Sequence, residues 1–195
     1  MEGKLLVQEM KKGIKIIGIA CASFNRLTDK EVPVIGAIYR GTELLEGVLK
    51  TIVTVDGEDG TEKIAEMIST STHWQQLKLI ITRGLTIAGF NYIDLERLFE
   101  LTNLPIISVV DRLPDMEDIA NALTNLSNGE KRLAVLQKYL PPIICKTSKN
   151  EEPVYIQMIG IEPKQAIKLL REITIAGRIP EPLRVARLIA IAEQK

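Results

Sequence analysis

Apolar side chains fall along this chain in two rhythms. Residues 14–22 form a nearly continuous apolar run, rich in β-branched side chains and too short for most helices, which predicts a strand buried on both faces. Residues 32–39 and 44–55 follow after short links, the second rich in Val and Thr with Gly47 inside it, and such links favour an antiparallel meander. The rhythm then changes. Asp59-Gly60-Thr61-Glu62 precedes Ile64, Ala65, Met67 and Ile68, whose spacing is helical behind a start that looks like a capping box. Leu77–Thr82 reads as a short strand, residues 91–101 as a helix with Asn91 as N-cap and Asp94 three residues on, and residues 105–110 as another strand. This alternation predicts parallel β-α-β units joined by right-handed crossovers.

Further along, residues 114–126 and 129–140 predict two surface helices, and residues 143–146 and 154–158 short extended segments. Residues 163–175 and 182–193 predict amphipathic helices, each with Pro in its first turn, where a missing N–H does no harm. Neither an internal repeat nor a low-complexity tract interrupts the pattern, so one domain over residues 1–195 is expected. Apolar residues make up 46% of the chain and aromatics only 4%, so the core must be built from Ile, Leu, Val and Ala.

The formal net charge is zero, which argues against coating nucleic acid by bulk electrostatics and leaves local patches as the only cationic device. From Lys164 to the end, seven Lys/Arg face three Glu, an excess of the kind a solvated helix face carries. The start, Met1-Glu2-Gly3-Lys4, opens no apolar run long enough for a signal peptide or a membrane span, and a cytoplasmic, non-membrane protein is expected. Cys21 and Cys145 sit in apolar stretches without Cys-x-x-Cys spacing and read as free buried thiols. His73, the only histidine, has no visible catalytic partner and reads as surface. Gly57-Glu58-Asp59-Gly60-Thr61 lacks the Gly-Lys-Ser/Thr ending of a phosphate loop.

Four strings narrow the fold: residues 51–61 (Thr-Ile-Val-Thr-Val-Asp-Gly-Glu-Asp-Gly-Thr), 85–91 (Leu-Thr-Ile-Ala-Gly-Phe-Asn), 102–107 (Thr-Asn-Leu-Pro-Ile-Ile) and 179–186 (Ile-Pro-Glu-Pro-Leu-Arg-Val-Ala). Together they resemble the archaeal domain-of-unknown-function family ninety-nine, a deoxyuridine endonuclease family related to endonuclease V. The Pro-Glu-Pro-x-Arg stretch and the Leu-Pro-Ile strand are also similar to endonuclease V itself. The resemblance runs from about Ile14 to the C-terminus. It implies a ribonuclease H-like α/β fold: a mixed sheet with a three-strand antiparallel meander, then parallel β-α-β units, and helices on both faces. It also implies DNA repair chemistry, namely phosphodiester cleavage beside a deaminated base, aided by divalent ions such as Mg²⁺ or Mn²⁺ on several carboxylates.

The residues that match the family's acids depart from it. Where the family carries Asp at the end of the first strand, in a string reading approximately Gly-Ile-Asp-Asp, this chain has Gly18-Ile19-Ala20-Cys21. The second Asp, just before a Gly after the fourth strand, is replaced by Arg83 ahead of Gly84. The third position, Asp or His in related sequences, is Arg187. A site so changed reverses its sign, and guanidinium groups cannot deprotonate to admit a cation. They suit phosphate oxygens instead, with Arg112 after the fifth strand as a third candidate, or else a member of an Asp111-Arg112 ion pair.

Asp56 and Asp59, with Glu58 between them, read either as surviving site acids or as a turn and a helix cap. The expected function is therefore that of a pseudoenzyme without a metal cofactor. Single-stranded or damaged DNA, or RNA, is its expected ligand, and a homodimer is compatible with the sequence. The alternatives are an active endonuclease using Mg²⁺ or Mn²⁺ on Asp56 and Asp59, and a structural or interaction module.

Overall fold

A computed structural model of the chain describes residues 13–113, 115–148 and 152–193. Strands β1 (Lys15–Cys21), β2 (Glu31–Arg40) and β3 (Leu44–Thr54) form the expected antiparallel meander. Ile16, Ile17 and Ile19 of β1 are fully buried, as a run apolar on both faces requires. Helix α1 (Gly60–Ser69) leads to β4 (Leu77–Thr82), and a two-residue hairpin, β5 (Thr86–Ile87) with β6 (Asn91–Tyr92), leads to α2 (Leu95–Thr102) and β7 (Ile106–Val110). Next come α3 (Met116–Leu123), α4 (Gly129–Gln137), β8 (Ile143–Cys145), β9 (Val154–Ile159), α5 (Pro163–Glu172) and α6 (Glu181–Ala192). Pro114, the expected first residue of the helix at 114–126, lies outside the described residues.

The main sheet runs β3-β2-β1-β4-β7-β9-β8. β4 pairs in parallel with β1 and with β7, whereas β9 is antiparallel to β7 and β8. β1 is therefore central, with β4 as its parallel neighbour. Helices cover both faces: a Cβ on Gly36 would meet Met67 of α1, and one on Gly18, which pairs with Ala37, would meet α6. Gly36 and Ala37 are successive strand residues and so point to opposite faces.

Two expected helix starts are corrected. Asn91 does not cap a helix; it lies in β6, and α2 begins at Leu95 behind Asp94, whose carboxylate accepts from the Glu96 and Arg97 N–H groups. Asp59 occupies the N-cap position of α1 without a capping bond. Its backbone is helical, at φ −96° and ψ −2°, whereas a capping side chain needs an extended residue, as Asp94 is at ψ 109°. The free Gly60 N–H of α1 donates instead to the buried Oδ1 of Asn91 at 2.8 Å.

Asp94 also accepts a 2.6 Å hydrogen bond from the Tyr139 hydroxyl. Burial first, and then that carboxylate, push the Tyr139 pKa up. Asp94→Ala is expected to lower stability by about 1–2 kcal/mol, the size of a lost cap with a polar partner. Asp94→Asn, which still caps, should lose less. Denaturant unfolding of both variants checks this.

Candidate anion-binding cleft

Because β1 and β4 run parallel, their C-terminal ends lie on the same side of the sheet. Ala20 sits near the end of β1, 3% exposed, and Arg83 follows the last residue of β4. Helix α6 lies across β1 and brings Arg187 over the same place. That approach depends on Gly18, where a Cβ would stand 2.5 Å from the Leu183 nitrogen and nearer still to the Pro182 carbonyl. The result is a cleft of about 200 Å³ whose lining includes Ala20, Cys21, Ser23, Arg83, Thr86 and Arg187. The positions where the resemblance expects acids thus converge, and among the described residues no Asp or Glu lines the cleft.

Its electrostatics follow from that lining. Burial first, and then the positive charge of Arg187, hold the Arg83 pKa below its ordinary value, and Asp111 opposes them. Asp111 lies 3.6 Å from Arg83 and 3.9 Å from Arg178, which Glu152 also holds at 3.1 Å, and Arg187 adds a further cation to the cleft. Asp111 pairs with these residues and not with its neighbour Arg112, contrary to the expected strand-end pair. Arg112 is exposed and lines an adjoining, largely apolar cleft of about 410 Å³ that shares Arg83 and Thr86. Hard divalent ions take oxygen ligands, usually including carboxylates. This lining supplies guanidinium groups, a thiol and hydroxyls.

The remaining acids are engaged elsewhere. Asp56 has a left-handed backbone, φ 53°, in the turn closed by the Gly57 N–H on the Thr54 carbonyl. Its carboxylate accepts two 2.7 Å bonds from Arg26 and a third from the Phe90 N–H. Burial disfavours its charge, but Arg26 and Phe90 outweigh that and hold the pKa low. The Arg26 guanidinium also stacks 4.6 Å above the Phe90 ring. Asp59 accepts from the Thr54 N–H and hydroxyl and from Asn91, and Glu58 accepts from Asn128 and Lys131. Neither Asp56 nor Asp59 lines the cleft. Among the described residues, no group of three or more His, Cys, Asp or Glu is placed to hold a metal ion.

Cys21 and Cys145 are free thiols, the first half-buried in the cleft wall and the second buried. His73 is half-buried, with its ring over Gly47 of β3, so its role is packing against the sheet. Sequence reasoning missed Arg178, which no motif ties to the cleft and which only the fold brings to Asp111. No helix among the described residues is long and apolar enough to cross a membrane.

A mixed sheet of this order, with its cleft across the ends of β1 and β4 under the last helix, defines an endonuclease V-like protein with a ribonuclease H-like fold. The chain is similar to Ciona intestinalis endonuclease V, solved in complex with a 24mer DNA containing an inosine followed by a ribo-adenosine. The TM-score is 0.60 at 14% identity, over 90% of this chain and 83% of that one, which is a likeness of fold alone. The chain belongs to the endonuclease dU family, whose profile matches residues 12–193. It is 41% identical over 189 residues to a UPF0215 protein of Methanopyrus kandleri, covering 97% of this chain and 95% of the relative. It is also similar to a crystal structure of a protein of unknown function from Archaeoglobus fulgidus, with TM-score 0.80, 34% identity, and coverage of 92% of this chain and 97% of that one.

Proposed function

We propose that this chain is a catalytically impaired member of the endonuclease dU family that grips nucleic-acid phosphate without cleaving it. One observation carries this reading: Ala20, Arg83 and Arg187 meet in one cleft whose lining, among the described residues, contains no carboxylate. Phosphodiester hydrolysis by metal ions needs ligands that fix them beside the attacked phosphate, and two guanidinium groups repel such ions. The same groups meet phosphate oxygens in bidentate, charge-assisted hydrogen bonds.

The adjoining apolar cleft favours single-stranded or damaged strands over intact duplex. Leu85, Val110, Met116 and Ile119 line it, together with Arg83, Arg112 and the Asp111 carboxylate that pairs with Arg83. An unstacked base can lie there while its phosphate stays on the arginines, since every base offers an apolar face. Mg²⁺ and Mn²⁺ do not suit the donors present, and the reading includes no cofactor.

Titration of labelled single-stranded and uracil-containing oligonucleotides at several salt concentrations tests the binding half of the proposal. The logarithm of the affinity should fall linearly with the logarithm of salt, because phosphate contacts release counterions. Undetectable binding at low salt would overturn it.

A further inference from the structure

We propose that the open edge of β3 is a homodimer interface, on which a second copy of this chain adds its own β3 in antiparallel register. β3 is one edge of the seven-stranded sheet, so among the described residues one side of its backbone has no strand partner. Such an edge invites pairing unless something blocks it. Here the edge is long and apolar: β3 has 11 residues, and Leu44, Leu45, Val48 and Ile52 are 53%, 40%, 46% and 47% exposed. The opposite edge strand, β8, has only 3 residues.

What usually keeps such edges apart is uncompensated charge, and this strand has little. Glu46 is bound by Lys15 at 2.6 Å and Arg40 at 2.5 Å, and Lys50 by Glu193 of α6, all within one chain. β3 contains no proline. Its one irregularity is a bulge at Glu46, between the pairs Tyr39–Leu45 and Ile38–Gly47. Past that bulge the register with β2 sets Leu45, Val48, Lys50 and Ile52 on one face, opposite Tyr39, Ala37, Ile35 and Pro33.

Self-complementarity identifies the occupant. A two-fold axis at Leu49 sets Leu49 against itself, Gly47 against the second copy's Thr51, Val48 against the aliphatic stem of its Lys50, and Leu45 against its Ile52. Moving the axis to Lys50 would set two lysines directly opposite, which destabilises a ladder. Moving it to Val48 would set Leu45 against a lysine and leave Ile52 without an apolar partner. Of these registers, only the one at Leu49 pairs Leu45 with Ile52 in both halves of the ladder while setting no like charges opposite. Because β3 runs in the same direction as β1 within the chain, this axis places the two clefts at opposite ends of the joined sheet. Each cleft then works alone, and the interface stands independently of the anion-binding reading.

Sedimentation equilibrium of the full chain should give the mass of a dimer, and Val48→Lys with Ile52→Lys should give a monomer with an unchanged far-ultraviolet spectrum. Both side chains are exposed, so the substitutions leave the core intact. Under mild oxidation Leu49→Cys should form a covalent dimer, because directly opposed Cβ atoms lie about 4.5–5.5 Å apart, near disulfide reach. The parent, with only Cys21 and Cys145, and a Leu27→Cys control should not. A monomeric parent at tens of micromolar, a dimer indifferent to both lysines, or a lysine-sensitive dimer that Leu49→Cys fails to cross-link would each overturn the proposal.

Discussion

Replacing Arg83 and Arg187 together by alanine is expected to weaken oligonucleotide binding on the order of a hundredfold and to flatten its salt dependence by one to two contacts. The size follows from two charge-assisted hydrogen-bonding groups, each about 1.5–3 kcal/mol, or roughly tenfold or more per guanidinium. Arg83 is half-buried beside another cation, with a counter-ion that it shares with Arg178. A phosphate therefore relieves repulsion as well as forming bonds. Because the chain's 25 Lys and Arg are balanced by 25 Asp and Glu, scattered surface cations should add little to binding in place of these two. Lys78→Ala is the control: it is exposed at the start of β4, the end away from the cleft, and should change affinity little. Equal losses from Lys78→Ala and the double variant would mean that binding is spread over the surface.

The second large effect concerns the strand beneath the site. Gly18→Ala is expected to destabilise the protein by about 3 kcal/mol, at the upper end for an overpacked core. In a chain of this size that is roughly 6–12 °C in Tm. The methyl would meet main-chain atoms of Pro182 and Leu183, so no rotamer change relieves the clash and α6 must move. Arg187 lies one turn beyond Leu183 and would move with it. The sign is informative, because Gly→Ala at an unobstructed site stabilises by about 0.4–1 kcal/mol through the unfolded state. Thermal and denaturant unfolding decide it. A variant as stable as its parent would show that α6 does not rest on β1 there, and the cleft would lose its third wall.

Much of this arrangement was legible in the chain because it depends on periodicity. The apolar run at residues 14–22 and the strand Leu77–Thr82 led to adjacent central strands, and their parallel pairing brings Ala20 and Arg83 to one end. Capping chemistry was not legible in the same way. Asn91 looks like a cap in its local string, yet its amide is engaged by Gly60, Thr54 and Asp59, more than thirty residues away in sequence. Asp59 has the residue type of a cap, but its helical backbone turns the carboxylate toward Thr54. The partners of Asp56 were hidden for the same reason: Arg26 and Phe90 come from separate loops that only the folded sheet brings together. A hairpin with strands of only two residues each, such as β5–β6, is too short to show any period.

Asp56 also bears on the rival view of an active nuclease. A metal ion there would have to displace a bidentate guanidinium and a backbone N–H, and would still stand outside the cleft. The most direct measurement is therefore nicking of uracil- and hypoxanthine-containing duplexes by the purified full chain, with Mg²⁺ and with Mn²⁺, at concentrations where binding is saturated. No metal-dependent cleavage above the level of a mock purification is expected. Metal-dependent nicking that survives purification and disappears in Asp56→Asn or Asp59→Asn would contradict the proposed function.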